Sequence, residues 1–304
     1  MNSAKRISDM DLWNAIAGEI AAASGAPFVL TARRSAGGGC INQAHVLEGS
    51  GRRYFVKSNR AECLPMFAAE ADGLRELARC GAIRVPQPVC CGSVAGSAFL
   101  ALEYFEFGSG GRGGAARLGT QLAALHRTSA AQFGWRRDNT IGATPQINTW
   151  NDAWVDFWRE RRLGYQLRLA AEHGAGARLQ REGEKLLERL PLFFSNYRPL
   201  PALLHGDLWN GNAAFDAAGH PVIFDPAVYY GDREADLAMT ELFGGFAADF
   251  YAAYRDSFPL APGYATRKTL YNLYHVLNHF NLFGGGYLGQ AERMMGVLLA
   301  EVGC

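Results

Sequence analysis

Apolar residues in this chain alternate along short runs near the start and then, for most of its length, recur at helical spacing. A helical pattern near residues 8 to 24 precedes β-branched and aromatic runs around 28–34, 41–47 and 53–57, separated by Gly-rich turns, which predict a small antiparallel sheet. From 65 to 80, Phe67, Ala71, Leu74 and Ala78 mark one face of an amphipathic helix, with Asp72, Arg75, Glu76 and Arg79 facing away. Glu70 falls between Phe67 and Leu74 on the apolar stripe, and a carboxylate there needs a partner. "RVPQPVCCGS" reads as a Pro-punctuated loop, and "AFLALEYFE" as a strand with an acidic end. The Gly-rich "GSGGRGGAA" then breaks the pattern. Beyond it, helices are predicted over 117–127, 149–171, 177–190, 235–255 and 266–283, interrupted by strand-like runs only within 203–228. The chain is therefore expected to be α+β and two-lobed, with a small antiparallel-sheet N-lobe (1–105) and a mostly helical C-lobe (106–304). The Gly-rich stretch would act as a hinge or flexible connector near 103–115.

At 304 residues the chain can bury a substantial core. Its 30 Lys and Arg against 29 Asp and Glu give a formal charge of +1, no electrostatic case for nucleic acid or an anionic membrane. The opening "MNSAKRISDMDLWNAIAGEI" lacks the continuous apolar core of a signal peptide, and no uncharged stretch approaches the roughly 20 residues that span a bilayer. A soluble, cytoplasmic protein acting on small molecules is expected, as a monomer or homodimer. Six scattered cysteines without a CxxC pair fit reduced thiols, and adjacent Cys90 and Cys91 fit packing.

The polar turn "LLHGDLWNGN" concentrates the candidate chemistry. Asp207 and Asn212 are five residues apart, and Asp225 ends the strand-like "PVIF" thirteen residues later. Oxygen-only ligands suit Mg²⁺, which takes one or two side-chain oxygens and completes its shell with water and phosphate. ATP would supply the phosphates. In protein kinases an Asp followed five residues later by an Asn positions the acceptor hydroxyl and holds metal, while a later Asp binds the metal at the phosphates. The other half of that template is a strand Lys paired with a helix Glu, here Lys57 and Glu70. Gly37, Gly38 and Gly39, 18 to 20 residues before Lys57, offer bare backbone N–H groups to phosphate oxygens. It is the order Gly turn, Lys57, Glu70, Glu103, Asp207, Asn212, Asp225 that carries the argument.

"HGDLWNGN" with "FDPAVYYGDREADLAM", supported by "GGGCINQA", "YFVKSN", "LAALHR" and "FGWRRDNTIGATPQINTWNDAWVDFWRERRL", resembles the fructosamine/ketosamine kinase family over roughly residues 30–290. That family belongs to the protein-kinase-like, aminoglycoside-phosphotransferase-like group. The resemblance implies transfer of the ATP γ-phosphate to the 3-hydroxyl of a ketosamine, a sugar adduct of a small-molecule or protein amine, after which the adduct breaks down. It implies Asp207 as the base, Asn212 and Asp225 on Mg²⁺, and the backbone of Glu103, Tyr104 and Phe105 at the adenine. Trp209, within the turn, offers a stacking face to the sugar or its amine-bearing side and separates this family from its relatives. Kinases of another hydroxyl, such as an aminoglycoside or choline, are the alternative; a nucleotide-binding regulator without turnover would have lost one of Lys57, Asp207, Asn212 or Asp225.

Other residues have plainer expected roles. His205 is read as a structural hydrogen-bonding group, and Asp236 as a helix cap or a brace for the catalytic turn. Asp232 has no assigned task. The aromatic set Trp150, Trp154, Phe157 and Trp158 has helical spacing and is read as mainly core, with one ring expected to line the acceptor pocket. "TPQIN" at 144–148 is expected to border the acceptor pocket. His275 and His279, four apart without an intervening Glu, are read as core or supporting residues rather than a zinc pair. Cys40, after the three glycines, is a candidate redox thiol forming a disulfide with a second chain.

Overall fold

Strand alternation sorts side chains to two faces of one sheet, and that sorting positions the site. The computed structural model describes residues 9–37 and 41–303. Gly38, Gly39 and Cys40, expected in the phosphate loop and as a redox thiol, lie outside the described residues.

The chain opens with α1 (Asp9–Ser24), β1 (Leu30–Ser35), β2 (Gln43–Gly49), β3 (Arg52–Arg60), α2 (Leu64–Cys80), β4 (Pro88–Val94) and β5 (Ser97–Glu103). The five strands form an antiparallel sheet in the order β1-β2-β3-β5-β4. Tyr54, Val56, Phe99 and Ala101 point to one face and form a small core with Trp13, Ile16 and Ile20 of α1. Ala98, Leu100 and Leu102 point to the other face and join Phe67, Ala71, Leu74 and Leu77 of α2. This second core is continuous with that of the helical part, so α2 packs against sheet and helices alike. Lys57, one residue on from Val56, is thereby turned toward α2.

Beyond Glu103 come β6 (Phe107–Gly108), α3 (Gly114–Leu125), β7 (Asn139–Ile141), β8 (Thr144–Gln146), α4 (Trp154–Phe157), α5 (Gly164–Glu172) and α6 (Ala177–Arg189). They are followed by β9 (Ala202–Leu204), β10 (Ala213–Asp216), β11 (Pro221–Ile223), β12 (Tyr229–Gly231), α7 (Glu234–Leu242), α8 (Ala248–Ser257), α9 (Tyr264–Phe283) and α10 (Tyr287–Glu301). β10 pairs with both β11 and β6, and β9 pairs with β12. Among the described residues no helix is long and apolar enough to cross a membrane.

Several elements differ from expectation. The loop at "RVPQPVCCGS" is partly β4: its prolines precede or open the strand, and Cys90 and Cys91 alternate between the two cores. The helix expected over 235–255 is two helices, broken where Gly244 and Gly245 both take left-handed backbones. The 149–171 helix starts only at Trp154 and passes through a π-helical stretch, Trp158–Leu163. α10 was not anticipated, although Ala291, Met295, Leu298 and Leu299 line its buried face. Asp72 and Glu76 do not face away from the protein but meet residues of the helical part.

Leu100, fully buried beneath α2, should cost about 2–5 kcal/mol when replaced by Ala. Leu200→Ala, at a side chain 74% exposed, should change stability by no more than about 0.5 kcal/mol. Urea unfolding of the two variants checks the contrast.

Candidate active site

A cavity of about 1030 Å³ opens between the sheet and the helical part. Val46, Phe55, Leu102 and Phe105 give it an apolar wall, and Phe107 stacks on Phe224 beside them with ring centroids 5.6 Å apart. Gly37, Lys57, Glu70, Glu103, Tyr104, Phe105, Asp207, Trp209, Asn212 and Asp225 all line it. The structure thus brings together the described residues that sequence reasoning placed at the nucleotide, the base and the metal, with Trp209 beside them.

Lys57 is its electrostatic centre. Its Nζ lies 2.7 Å from Glu70 Oε1 and 2.8 Å from Asp225 Oδ1. Burial alone would lower the Lys57 pKa, but the Asp225 and Glu70 carboxylates outweigh it and hold the ammonium firmly charged. Asp225 reaches this position from a left-handed backbone, φ 58°, unusual for a non-glycine residue and held by the pairing around it. Its side chain remains 42% exposed toward the cavity.

The turn at 203–212 is built from the backbone outward. Gly206 has φ 84°, and a Cβ there would lie 2.0 Å from the Ala227 carbonyl oxygen, so no other residue fits. The His205 and Gly206 amides donate to the two oxygens of Asp236, at 2.7 and 2.8 Å. Asp236 lies inside the first turn of α7 rather than at its cap, so it is a brace. Burial would raise its pKa, but the His126 hydrogen bond and the neighbouring imidazoles and amide bring it below the usual range, ionised. His126 Nε2 donates to Asp236 and its Nδ1 accepts the Tyr254 hydroxyl. His205 Nε2 donates to the Phe224 carbonyl while Nδ1 accepts the Asp207 amide; burial lowers its pKa, and the ring is neutral and structural.

Asp207 then projects into the cavity. Asn212 Nδ2 donates to the Asp207 carbonyl at 2.9 Å and reaches its carboxylate at 3.4 Å. Burial, then the charges of Asp225 and Asp236, push the Asp207 carboxyl up to about 7. With its nitrogen on Asp207, Asn212 has its amide oxygen left for a cation. Among the described residues no three or more His, Cys, Asp or Glu converge as a metal cage. One carboxylate and one amide oxygen are instead the sparse donor set that suits Mg²⁺ when phosphate and water complete the shell.

Glu103 commits its side chain to partners within the protein, and its amide donates to the Gln87 carbonyl at 2.9 Å. Its carboxylate pairs with Arg84 at 3.0 Å and accepts the Gln87 amide. Arg84 also reaches Asp216 at 2.6 Å. The acceptor side departs further from expectation. Residues 144–148 do not border the cavity: Gln146 and Asn139 instead hold the Ala227 and Val228 carbonyls, and Asn148 bonds Arg162. The wall is formed by Ile141, Gly142, Leu282, Phe283, Tyr287 and His279, which was read as core or support. His279 lies 4.8 Å from Phe243 and 5.2 Å from Tyr287 between ring centroids, while Trp209 is 37% exposed beside Phe243. His275 is buried, pushed down to about 3 by desolvation, and outside the cavity. Tyr197 and Tyr271 both donate to Asp232, the task sequence reasoning left open.

The chain matches the fructosamine kinase family model over residues 12–301 and belongs to that family. It is 52% identical to a probable ketoamine kinase of Synechocystis, over 93% of this chain and 95% of that protein. It is 44% identical to a chloroplastic protein-ribulosamine 3-kinase of Arabidopsis thaliana, over 86% and 80%. A crystal structure assigned as a fructosamine-3-kinase from Haemophilus somnus superposes with a TM-score of 0.87 at 29% identity, over 94% and 97%.

The folded Asp207 keeps its proton up to about pH 7, whereas an unfolded Asp loses it near 3.8. As pH rises through that window the fold is therefore destabilised, and above it the penalty is complete. Asp207→Asn should stabilise the unliganded protein at pH 8 by roughly 2–4 kcal/mol and have little effect near pH 4. Thermal melts at both pH values check the sign.

Proposed function

We propose that this chain transfers the γ-phosphoryl group of ATP to the 3-hydroxyl of a ketosamine, with Asp207 as the general base. The observation that carries this reading is geometric: the half-buried Asp207 carboxylate, with Asn212 beside it, lines the same cavity as the Lys57–Glu70–Asp225 triangle, and desolvation and neighbouring carboxylates push its pKa up to about 7. The nucleotide is read as lying between the two lobes, 1–105 and 106–304. Its adenine would meet the backbone of residues 103–105, and its phosphates Lys57 and the glycine turn. At Gly37 an added Cβ would touch no atom of the described residues, so their packing does not require glycine there, whereas close approach of a phosphate would.

Asn212 and Asp225 would hold Mg²⁺, which, when bound, neutralises charge on the phosphates. Glu70 fixes Lys57, and Lys57 pairs with the phosphate oxygens. Asp207 accepts the hydroxyl proton as the new O3–P bond forms and the bond from the γ-phosphorus to the bridging oxygen of ADP breaks. Asp236 holds the Asp207 backbone steady through the amides at 205 and 206, a positioning role. The acceptor's sugar would lie against Trp209 and the aromatic wall around His279. The amine is taken to be a small molecule or a protein side chain, in keeping with the protein-ribulosamine 3-kinase named above.

The test is ATP-dependent mass gain on synthetic ribulosyl-lysine and fructosyl-lysine. One phosphoryl group should be added to at least one adduct, and Asp207→Asn should lower kcat by about 10²–10⁴-fold. No transfer to either, with ATP still bound, would turn the reading toward another acceptor hydroxyl. In kcat/KM for ATP, which reports the unliganded enzyme, activity should be level above about pH 7 and fall roughly tenfold per unit below it. A level profile from pH 5.5 to 8 would remove Asp207 as the base.

A further inference from the structure

Two carboxylates on the charged face of α2, Asp72 and Glu76, expected to meet solvent, instead tie this helix to the helical part. Glu70, Gly73 and Glu76 are spaced by three and share one side of α2. The segment from Asp225 to β12 runs along that side and meets it at three levels. Asp225 shares Lys57 with Glu70. Gly73 sits so close that a Cβ would lie 3.1 Å from Val228 Cγ2 and 3.8 Å from Pro226 Cγ. The Tyr230 hydroxyl donates to Glu76 Oε1 at 2.9 Å. A second strap comes from Arg136 and Arg137, which pair with Asp72 at 3.1 and 2.7 Å and hold its carboxyl below the usual range despite burial. The two straps are one platform, because Gly134 and Tyr230 exchange backbone hydrogen bonds at 2.9 and 2.7 Å.

We infer that Tyr230, Glu76 and Asp72 are positioning residues that act through Glu70. They hold α2 in register with the segment carrying Asp225, so that Lys57 faces the nucleotide in one geometry without any movement of the helix. This rests on the reading of Lys57 and Glu70 as the pair that meets the ATP phosphates. A hydrogen bond that only stabilised the fold would lower stability without being coupled to Glu70; one that positions Glu70 has nothing to position once that carboxylate is gone.

The experiment is a double-mutant cycle read by calorimetric titration with MgADP on the full chain. Tyr230→Phe, which removes only the hydroxyl, should weaken binding about three- to tenfold in the native background and less than twofold in Glu70→Gln. Glu76→Ala should reproduce the loss, while Glu76→Gln, which keeps an acceptor oxygen for Tyr230, should bind within about twofold of the native protein. Equal losses in both backgrounds, or no loss in the native one, would overturn the positioning role alone. Native-like binding by Glu70→Gln would overturn the reading of the pair and the positioning role with it.

Discussion

The Lys57 ammonium, buried and shared between Glu70 and Asp225, is the constraint on which the rest of the site depends. A buried charge is tolerated only when its partners are fixed, and losing one partner of such a group typically costs about 3–5 kcal/mol. Three elements must therefore meet at one point: β3 with Lys57, α2 with Glu70, and the turn after β11 with Asp225. Strand alternation delivers the first, and the apolar stripe of α2 delivers the second. The third requires a left-handed backbone at Asp225, which the ion pair and the hydrogen bonds to the carbonyls at 227 and 228 help to retain.

The polar turn at 203–212 follows the same logic with a different anchor. Asp236, thirty residues downstream, takes two consecutive amides on its two oxygens and is itself held by His126. Asp207, Asp225 and Asp236 consequently sit close together, and desolvation, reinforced by the other two carboxylates, raises the Asp207 pKa. A site that concentrates acidic charge while unliganded is poorly stable in that state and gains from a cation and its phosphates. The cavity is lined by apolar, charged and aromatic side chains, and on the proposed reading these would meet a purine, a polyphosphate and an acceptor.

Much of this was legible because it is local. Glu70 on an apolar stripe called for a partner, and the spacing of Asp207, Asn212 and Asp225 marked one polar cluster on adjacent turns. The small sheet followed by helices was legible for the same reason, since period two gives way to period three and a half. What stayed hidden depends on tertiary partners. Asp236 looks the same in sequence whether it caps a helix or braces a loop, and Asp72 and Glu76 look like a solvated face until Arg136, Arg137 and Tyr230 are brought to them. The prolines before β4 masked an edge strand. Aromatic residues at helical spacing in α9 and α10 look like core, although His279, Phe283 and Tyr287 line the cavity.

The most direct test of this account is a crystal structure with Mg²⁺ and a non-hydrolysable ATP analogue. The account predicts Lys57 Nζ still on Glu70 and now on phosphate oxygen, with Asp225 and Asn212 on the cation and α2 unmoved against residues 225–230. Phosphates bound away from Lys57, or a Lys57–Glu70 pair broken on binding, would contradict it.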